Sequence, residues 1–294
     1  MSYEALDAHA QAMLETALDH PGREFTLAPI ACGMSIQVGT ARATFDGLIS
    51  KGLVKRIGND RYQVQDAPGE HDQALHDAVR LARAVRTVRW YQRGAAAVAL
   101  AVDPGPRRIG TSQQCPAVTP FPSSTAAMRW FDVEHPNMMA AHQQLVDYRL
   151  RHQVCAMAED LWGPLRLARA DGDVIASQQL GIEAAQALND RPRESLFRSR
   201  AGTCLSERAE HAAAVTECTR AHWLAHETGQ RWLEVIALDA RARAHLRAGA
   251  VEAARRDARY ALDFASQLGD KALIAQAHIL AGECRLTLGE SHRA

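Results

Sequence analysis

The sequence contains few lysines and few aromatic residues, and it lacks the short motifs of several large enzyme classes. Only 3 of its 34 basic residues are lysines, and aromatic residues make up 5%. No G-x-x-x-x-G-K-[ST], no G-x-S-x-G and no dinucleotide-binding glycine motif occurs, which argues against phosphate-loop NTPases, serine hydrolases of that type and dinucleotide-dependent enzymes. His222 and His226 have a spacing that can hold a metal, but Trp223 stands where H-E-x-x-H requires glutamate. We therefore expect a protein that is not an enzyme and that uses no metal or cofactor.

Net charge and long apolar runs are also missing. The 34 basic residues balance 34 acidic ones, so no overall field attracts the protein to nucleic acid or to a membrane. No apolar run approaches the ~18 residues of a membrane helix, and the first residues lack the basic and apolar regions of a signal peptide. The six cysteines include no C-x-x-C, which indicates buried thiols in a reducing compartment. These features predict a cytoplasmic protein.

The C-terminal half contains an internal repeat. Residues 209–229 (AEHAAAVTECTRAHWLAHETG) and 249–269 (GAVEAARRDARYALDFASQLG) align at an offset of 40, which matches Gly229 with Gly269. A fixed period in this range is typical of a solenoid of helix pairs, in which each pair buries its apolar face against the next. The pattern therefore predicts a mainly α protein with a helical repeat domain over residues 124–294.

The N-terminal segment has a different pattern. Three stretches with helical apolar spacing precede two short alternating runs, 53–57 and 61–64, which are separated by a Gly-Asn-Asp turn. Two such runs around a turn predict a β-hairpin. Three helices and a hairpin predict a winged helix over residues 1–68. Residues 69–123 then form a long bridging helix, from about residue 72 to 102, and a proline-rich loop.

Two resemblances follow from these segments. LDARARAHLRAGAVEAARRDARYAL (238–262) has small residues at Ala242, Ala254 and Ala261 and a turn glycine at Gly249, and it resembles tetratricopeptide repeats. GLVKRIGNDRYQVQD (52–66), the pair Trp90-Tyr91 and AAMRWFDVEHPNMMAAH (126–142) resemble the C-terminal part of actinobacterial signal-transducing ATPases with NB-ARC modules, including SARP-type antibiotic regulators. The resemblance implies a transcriptional regulator of specialised metabolism.

The chain departs from that family at its nucleotide-binding features. The family places a phosphate-loop ATPase before the winged helix, whereas this sequence has no phosphate-binding lysine motif. The family's His-Asp step is Gln65-Asp66 here, so the imidazole is missing. We therefore expect no switching by ATP.

A winged helix can bind double-stranded DNA through its third helix and its hairpin. Opposing this, residues 1–68 contain 6 basic against 8 acidic residues, and phosphate contacts normally dominate affinity. A local basic cluster favours it. The alternative is a packing module without DNA contact. The candidate DNA-binding residues are Thr40, Arg42, Thr44, Lys51, Lys55, Arg56 and Arg61.

A band of arginines follows on the bridging helix, at positions 80, 83, 86, 89 and 93. The spacing places these side chains along one slowly drifting band of a helix. The band either contacts phosphate or an acidic partner, or it is a solvated helix face whose arginine stems pack on neighbouring elements.

In tetratricopeptide repeats the first helix of each pair lines a concave groove. The resemblance implies that a protein, peptide or small ligand binds there. Such a protein is either a regulator whose groove controls the winged helix or an adaptor that never touches DNA. Its oligomeric state stays open, with a homodimer as one option. The implied groove residues are Leu196, Ser199, Thr203, Ile236, Asp239, Arg243, Arg247, Gln276, Ile279 and Glu283.

Overall fold

The computed structural model describes residues 6–58, 60–65, 78–103, 109, 121–287 and 289. This part of the chain contains twelve helices and one two-stranded sheet, so the predicted mainly α class is confirmed. No described helix combines the length and the apolar character needed to cross a membrane. Asp66, Cys115, the start of the predicted bridging helix and most of the proline-rich loop lie outside the described residues.

The chain forms two compact units. The first contains residues 1–104 and 113–150, and the second contains residues 105–112 and 151–294. The boundary predicted at residue 124 therefore differs from the division between the units, because the helix that begins there groups with the first unit. In the first unit the elements are α1 (Ala8–Leu18), α2 (Leu27–Met34), α3 (Val38–Ser50), β1 (Val54–Ile57), β2 (Arg61–Val64), α4 (Ala78–Val102) and α5 (Ser124–Asp147).

The first unit is built from local signals around an apolar core. The Asp7 carboxylate accepts the Ala10 N–H at 2.8 Å and so caps α1. β1 and β2 pair antiparallel, with Val54 opposite Val64. Phe25, between α1 and α2, forms a two-way backbone bridge with Tyr62 of β2, with N–O distances of 3.0 and 2.8 Å. Phe25 thereby adds a short extended segment to the hairpin, over a core that α1, α2 and α3 complete.

Helices α4 and α5 pack against each other in the same unit. A Cβ at Gly94 of α4 would lie 2.4 Å from Cη2 of Trp130 in α5, so only glycine allows this approach. Ser123 caps α5 by accepting the Ala126 N–H at 3.1 Å. The contact across Gly94 explains why α5 belongs with α4 and not with the helices that follow it.

The second unit contains seven helices of nearly equal length. Six have 17 residues and one has 18, and each begins 20 residues after the one before. A residue with positive φ closes each connection, from Arg169, Asn189 and Ala209 to the glycines at 229, 249 and 269, and Gly289 after α12 also has positive φ. The period of 40 seen in the sequence is thus two helix–turn units. The helices are α6 (Arg151–Leu167), α7 (Asp171–Ala187), α8 (Arg191–Glu207), α9 (His211–Glu227), α10 (Arg231–Arg247), α11 (Val251–Leu268) and α12 (Lys271–Thr287).

The helices of the second unit pack as successive pairs. α6 packs on α7, α8 on α9 and α10 on α11, and the first helix of each pair also contacts the first helix of the next pair. Small residues allow this close packing: Ala242, Ala254 and Ala258 are buried together with Leu280 and Cys284. The result is a solenoid-like stack in which α6, α8, α10 and α12 share one face.

Candidate functional site

The ten implied groove residues lie on α8, α10 and α12, which are first helices of their pairs. Their accessibility differs. Leu196 and Ser199 are interior residues: Leu196 packs with Ala225 and Leu233, and the Ser199 hydroxyl donates to the Ser195 carbonyl at 3.0 Å. Both side chains therefore pack within the stack and have almost no exposed surface.

The remaining groove positions form a mixed surface. Gln276 and Arg247 are exposed, and Ile279 is 61% exposed. Thr203 and Ile236 are half-buried, as are Arg243 and Glu283. The surface therefore offers both charged groups and apolar area to a ligand. This mixture is the one that the groove residues implied from the sequence.

Asp239 is the exception, because it is buried within a polar group that links α10 and α12. Its Oδ2 accepts from Nε of Arg243 and from Nε2 of Gln276, both at 3.0 Å, and Arg243 also pairs with Glu283 at 2.9 Å. Burial raises the pKa of the Asp239 carboxyl. The other oxygen, Oδ1, is buried and receives no hydrogen bond from any described residue.

Glu159 of α6 occupies the position equivalent to Asp239, two periods of 40 earlier. Its Oε1 accepts from Nε of Arg193 in α8 at 2.8 Å. Its Oε2 accepts the backbone N–H of Ile109 at 3.1 Å. The sequence analysis missed Glu159, Arg193 and Ile109, although extending the period back to α6 leads to Glu159.

Ile109 also has an apolar contact in the second unit. It is half-buried against the cluster of Leu196, Ala225 and Leu233, to which Trp232 and Ile236 also contribute. Two of these five residues, Leu196 and Ile236, were among the implied groove residues. A residue from the proline-rich segment therefore lies on the face that the repeats predict as a binding surface.

The candidate DNA-binding residues of the first unit are only partly available. Thr40 is exposed and Thr44 is half-buried on α3, while Lys51 and Lys55 are exposed near its end and on β1. Arg42 and Arg56 both pair with the carboxylate of Asp60 in the hairpin turn. The hydrogen bond from Arg42 lowers the pKa of Asp60, which keeps this acid charged beside the two arginines. Asp60 therefore offsets one of the two arginine charges on this surface.

Arg61 does not point to solvent. Its side chain is 19% exposed, its Nη1 donates to Oε1 of Glu134 in α5 at 2.8 Å, and its Nη2 donates to the Glu24 carbonyl at 2.8 Å. Its assignment as a DNA contact conflicts with this geometry, because breaking the pair with Glu134 would leave a buried carboxylate without its cation.

Glu134 belongs to a buried polar network that includes Asn137, Tyr91 and His20. Its Oε2 accepts from the Asn137 amide at 2.8 Å and from the Tyr91 hydroxyl at 3.3 Å. The Tyr91 oxygen lies 2.8 Å from Nε2 of His20. Nδ1 of His20 lies 2.9 Å from the Gly22 carbonyl oxygen and 3.0 Å from the Gly22 nitrogen, so Gly22 holds this side of the ring. Burial lowers the pKa of His20 from 6.5 to about 4, which keeps the ring neutral near pH 7.

The arginine band on α4 is used mainly within the first unit. Arg80 forms a bidentate pair with Asp19, with distances of 2.6 and 2.7 Å, and Arg83 pairs with Glu15 at 2.6 Å. Two more donate to α2: Arg86 to the Gly33 carbonyl at 2.8 Å and Arg93 to the Cys32 sulfur at 3.0 Å. Arg89 is exposed. Four of the five arginines therefore pack on neighbouring elements, but Arg80 and Arg83 do so as largely buried ion pairs and not as a solvated face.

Among the described residues one group has ligand atoms close enough for a metal, namely Asp171, Cys204 and Glu207, whose atoms lie within 4.8 Å of one another. The Arg166 guanidinium already donates to all three. Burial raises the pKa of Cys204 to about 11, so its sulfur stays a thiol near neutral pH. The guanidinium of Arg166 thus occupies the position that a metal ion would take.

His222 and His226 both face the buried carboxylate of Glu234, which Arg231 also pairs with.

No family model matches this chain, and no curated protein matches its sequence.

Proposed function

We propose that the protein is a non-enzymatic regulatory protein of the cytoplasm, in which a tetratricopeptide-like solenoid binds a protein or peptide partner. The contact between first helices of successive pairs carries this proposal, because it brings the exposed and half-buried groove residues onto one continuous face. Such a face suits an extended ligand better than a compact small molecule, since concave sites for small molecules enclose most of the ligand surface.

The order of elements in the first unit supports a winged helix. Three helices precede the hairpin, and the bridge between Phe25 and Tyr62 supplies the short extended segment that such domains have between their first two helices. The segment WFDVEHPN (130–137) gains a structural role, because its Glu134 and Asn137 bind the hairpin arginine and the Glu24 carbonyl.

The geometry favours the adaptor alternative, in which the winged helix is a packing module. Arg61 pairs with Glu134, and Arg42 and Arg56 share Asp60. A transcriptional regulator that binds double-stranded DNA is the second candidate function. The exposed Lys51 and Lys55, together with Thr40 on α3, support it.

Affinity capture from the native cell tests the proposal. The bait is the full chain, used as wild type, as Arg247→Glu on α10 and as Arg256→Glu on α11; both arginines are exposed. We expect a partner that survives nuclease treatment and that Arg247→Glu loses while Arg256→Glu retains it. A partner retained equally by both variants would place recognition elsewhere.

A DNA titration at several salt concentrations separates the two candidates. If the winged helix binds DNA, replacing Lys51 and Lys55 with glutamine lowers the salt slope by about 0.9 for each lost phosphate contact. If it is a packing module, the wild type shows no binding above that of a neutral protein even at low salt.

A further inference from the structure

We propose that the face formed by α6, α8 and α10 binds an extended peptide through a branched aliphatic residue and its backbone N–H, and that Ile109 of this chain is the resident occupant that such a peptide displaces. The inference rests on the proposed function and specifies the chemistry of its ligand. Two independent contacts carry it, one apolar and one polar.

The apolar contact is an anchor position for one aliphatic side chain. Leu196 of α8, Ala225 of α9 and Leu233 of α10 form its buried base. Trp232 and Ile236 are partly buried against the same cluster, and Ile109 packs on it. Because three consecutive helices supply this cluster, the anchor position is fixed by the packing of the stack.

The polar contact is an acceptor that is oriented before any ligand arrives. Arg193 binds Oε1 of Glu159 at 2.8 Å and is itself held by Asp190 at 2.7 Å. Both side chains of the Arg193–Glu159 pair are largely buried, at 15% and 5% exposure. Since Arg193 occupies Oε1, Oε2 is left for a donor, and the Ile109 N–H takes it at 3.1 Å. Any peptide backbone can supply this donor, so the aliphatic anchor sets the specificity.

Ile109 competes with an external peptide because it belongs to the same chain. Its contact with the site is intramolecular, so its effective concentration there does not change with dilution. The apparent affinity for an external peptide falls by the fraction of molecules in which the site is free. Removing the Ile109 side chain should therefore increase that affinity.

The test uses a fluorescent peptide with the chain's own sequence PGPRRIGTSQ (104–113) and the full-length protein. Fluorescence anisotropy should give binding about tenfold tighter to Ile109→Ala than to wild type. The matched control, Leu268→Ala, removes an exposed aliphatic side chain of α11, a second helix outside the proposed face, and should bind as wild type does. Melting temperatures of both variants exclude unfolding as the cause.

Two altered peptides test the two contacts without changing the protein. A peptide with alanine in place of the isoleucine loses the anchor, and a peptide N-methylated at the isoleucine loses the N–H for Glu159. Each should bind Ile109→Ala at least about tenfold more weakly than the parent peptide. Equal binding of wild type and Ile109→Ala, or equal binding of all three peptides, overturns the inference.

The capture experiment with Arg247→Glu distinguishes this outcome from a failure of the proposed function. If the peptides bind as predicted but Arg247→Glu captures the same proteins as wild type, the peptide site is supported and the proposed function is wrong. If a partner depends on Arg247 but the peptides do not bind, the function stands and the resident-occupant inference fails.

Discussion

At the scale of single residues, buried polar side chains fix the first unit. Glu134 is 1% exposed and is bound by Arg61, Tyr91 and Asn137. Room for Asn137 depends on Gly22, where a Cβ would lie 1.6 Å from the Asn137 Oδ1. The three partners come from three different elements. Removing one of these side chains leaves a buried polar group without its hydrogen bond, and the resulting loss of folding free energy exceeds what the hydrogen bond itself contributes.

His20 makes the stability of this network depend on pH. Burial lowers its pKa to about 4, so below pH 6.5 the unfolded chain binds a proton that the folded chain does not. The free energy of unfolding should therefore decrease as pH falls from 6.5 to 4. The loss from His20 is about 3 kcal/mol.

Urea unfolding at several pH values, on wild type and His20→Gln, measures this effect. Glutamine does not titrate, so the variant should lose about 3 kcal/mol less over the same pH window. Parallel pH dependences of the two proteins would show that His20 is protonated equally in both states.

Arg243 and Arg247 of α10 are expected to respond differently to charge reversal. Arg243→Glu leaves the buried Asp239 without its cation and beside a like charge, and should destabilise by about 3 kcal/mol. Arg247 is exposed, so Arg247→Glu should change stability by less than about 0.5 kcal/mol. Thermal unfolding of the two variants compares them directly, and equal melting temperatures would contradict the buried role of Arg243.

The ion pair of Arg61 with Glu134 could not be predicted from the sequence. Arg61 stands in a hairpin beside other basic residues, which suggested a surface that binds phosphate. Its partner, Glu134, lies 73 residues further along the chain, and no local pattern indicates that contact. Local spacing also could not show that Leu196 and Ser199 face the interior, because this depends on how neighbouring helices cover them.

At the scale of elements, the turns of the second unit follow a strict rule. Each connection contains one residue with positive φ, which is glycine from position 229 onward but Arg169, Asn189 and Ala209 before it. Glycine adopts this conformation without the clash that a Cβ introduces. The late repeats were therefore recognisable from sequence by their glycines, whereas the earlier ones lacked this signal.

Exchanging the turn residues tests the rule. Nothing lies within 4 Å of a Cβ built on Gly249, so Gly249→Ala adds only backbone strain and should destabilise by about 1 kcal/mol. Ala209→Gly should stabilise by up to about 1 kcal/mol, because it relieves the same strain. Chemical unfolding measures both changes, and a loss of stability in Ala209→Gly would contradict the account.

For helix α5, the apolar periodicity of the sequence predicts a helix but does not predict which other helix it packs against. Its helical character was predicted, but it was assigned to the repeats because everything after residue 124 has the same apolar spacing. The structure packs it on α4, where Trp130 lies over Gly94. Amphipathic spacing shows that a helix has a face to bury and does not show which element buries it.

At the scale of the whole molecule, the sequence has balanced charge and no phosphate-loop motif, from which we predict that nucleotides do not bind. Addition of ATP or ADP should leave the melting temperature unchanged in a thermal-shift assay. Binding at a hundredfold excess over Kd would stabilise the folded state by about 2.7 kcal/mol, so a saturable rise of several degrees would contradict this expectation.

The most direct test of the central claim is photo-crosslinking in the native cell from a groove position. A benzophenone amino acid at Ile279, which is 61% exposed on α12, is compared with the same group at Trp223, which is 42% exposed on α9, a second helix. The account predicts a covalent adduct with a protein or peptide from position 279 and none from position 223. Adducts of equal yield from both positions, or from position 223 alone, would contradict binding on the face of the first helices.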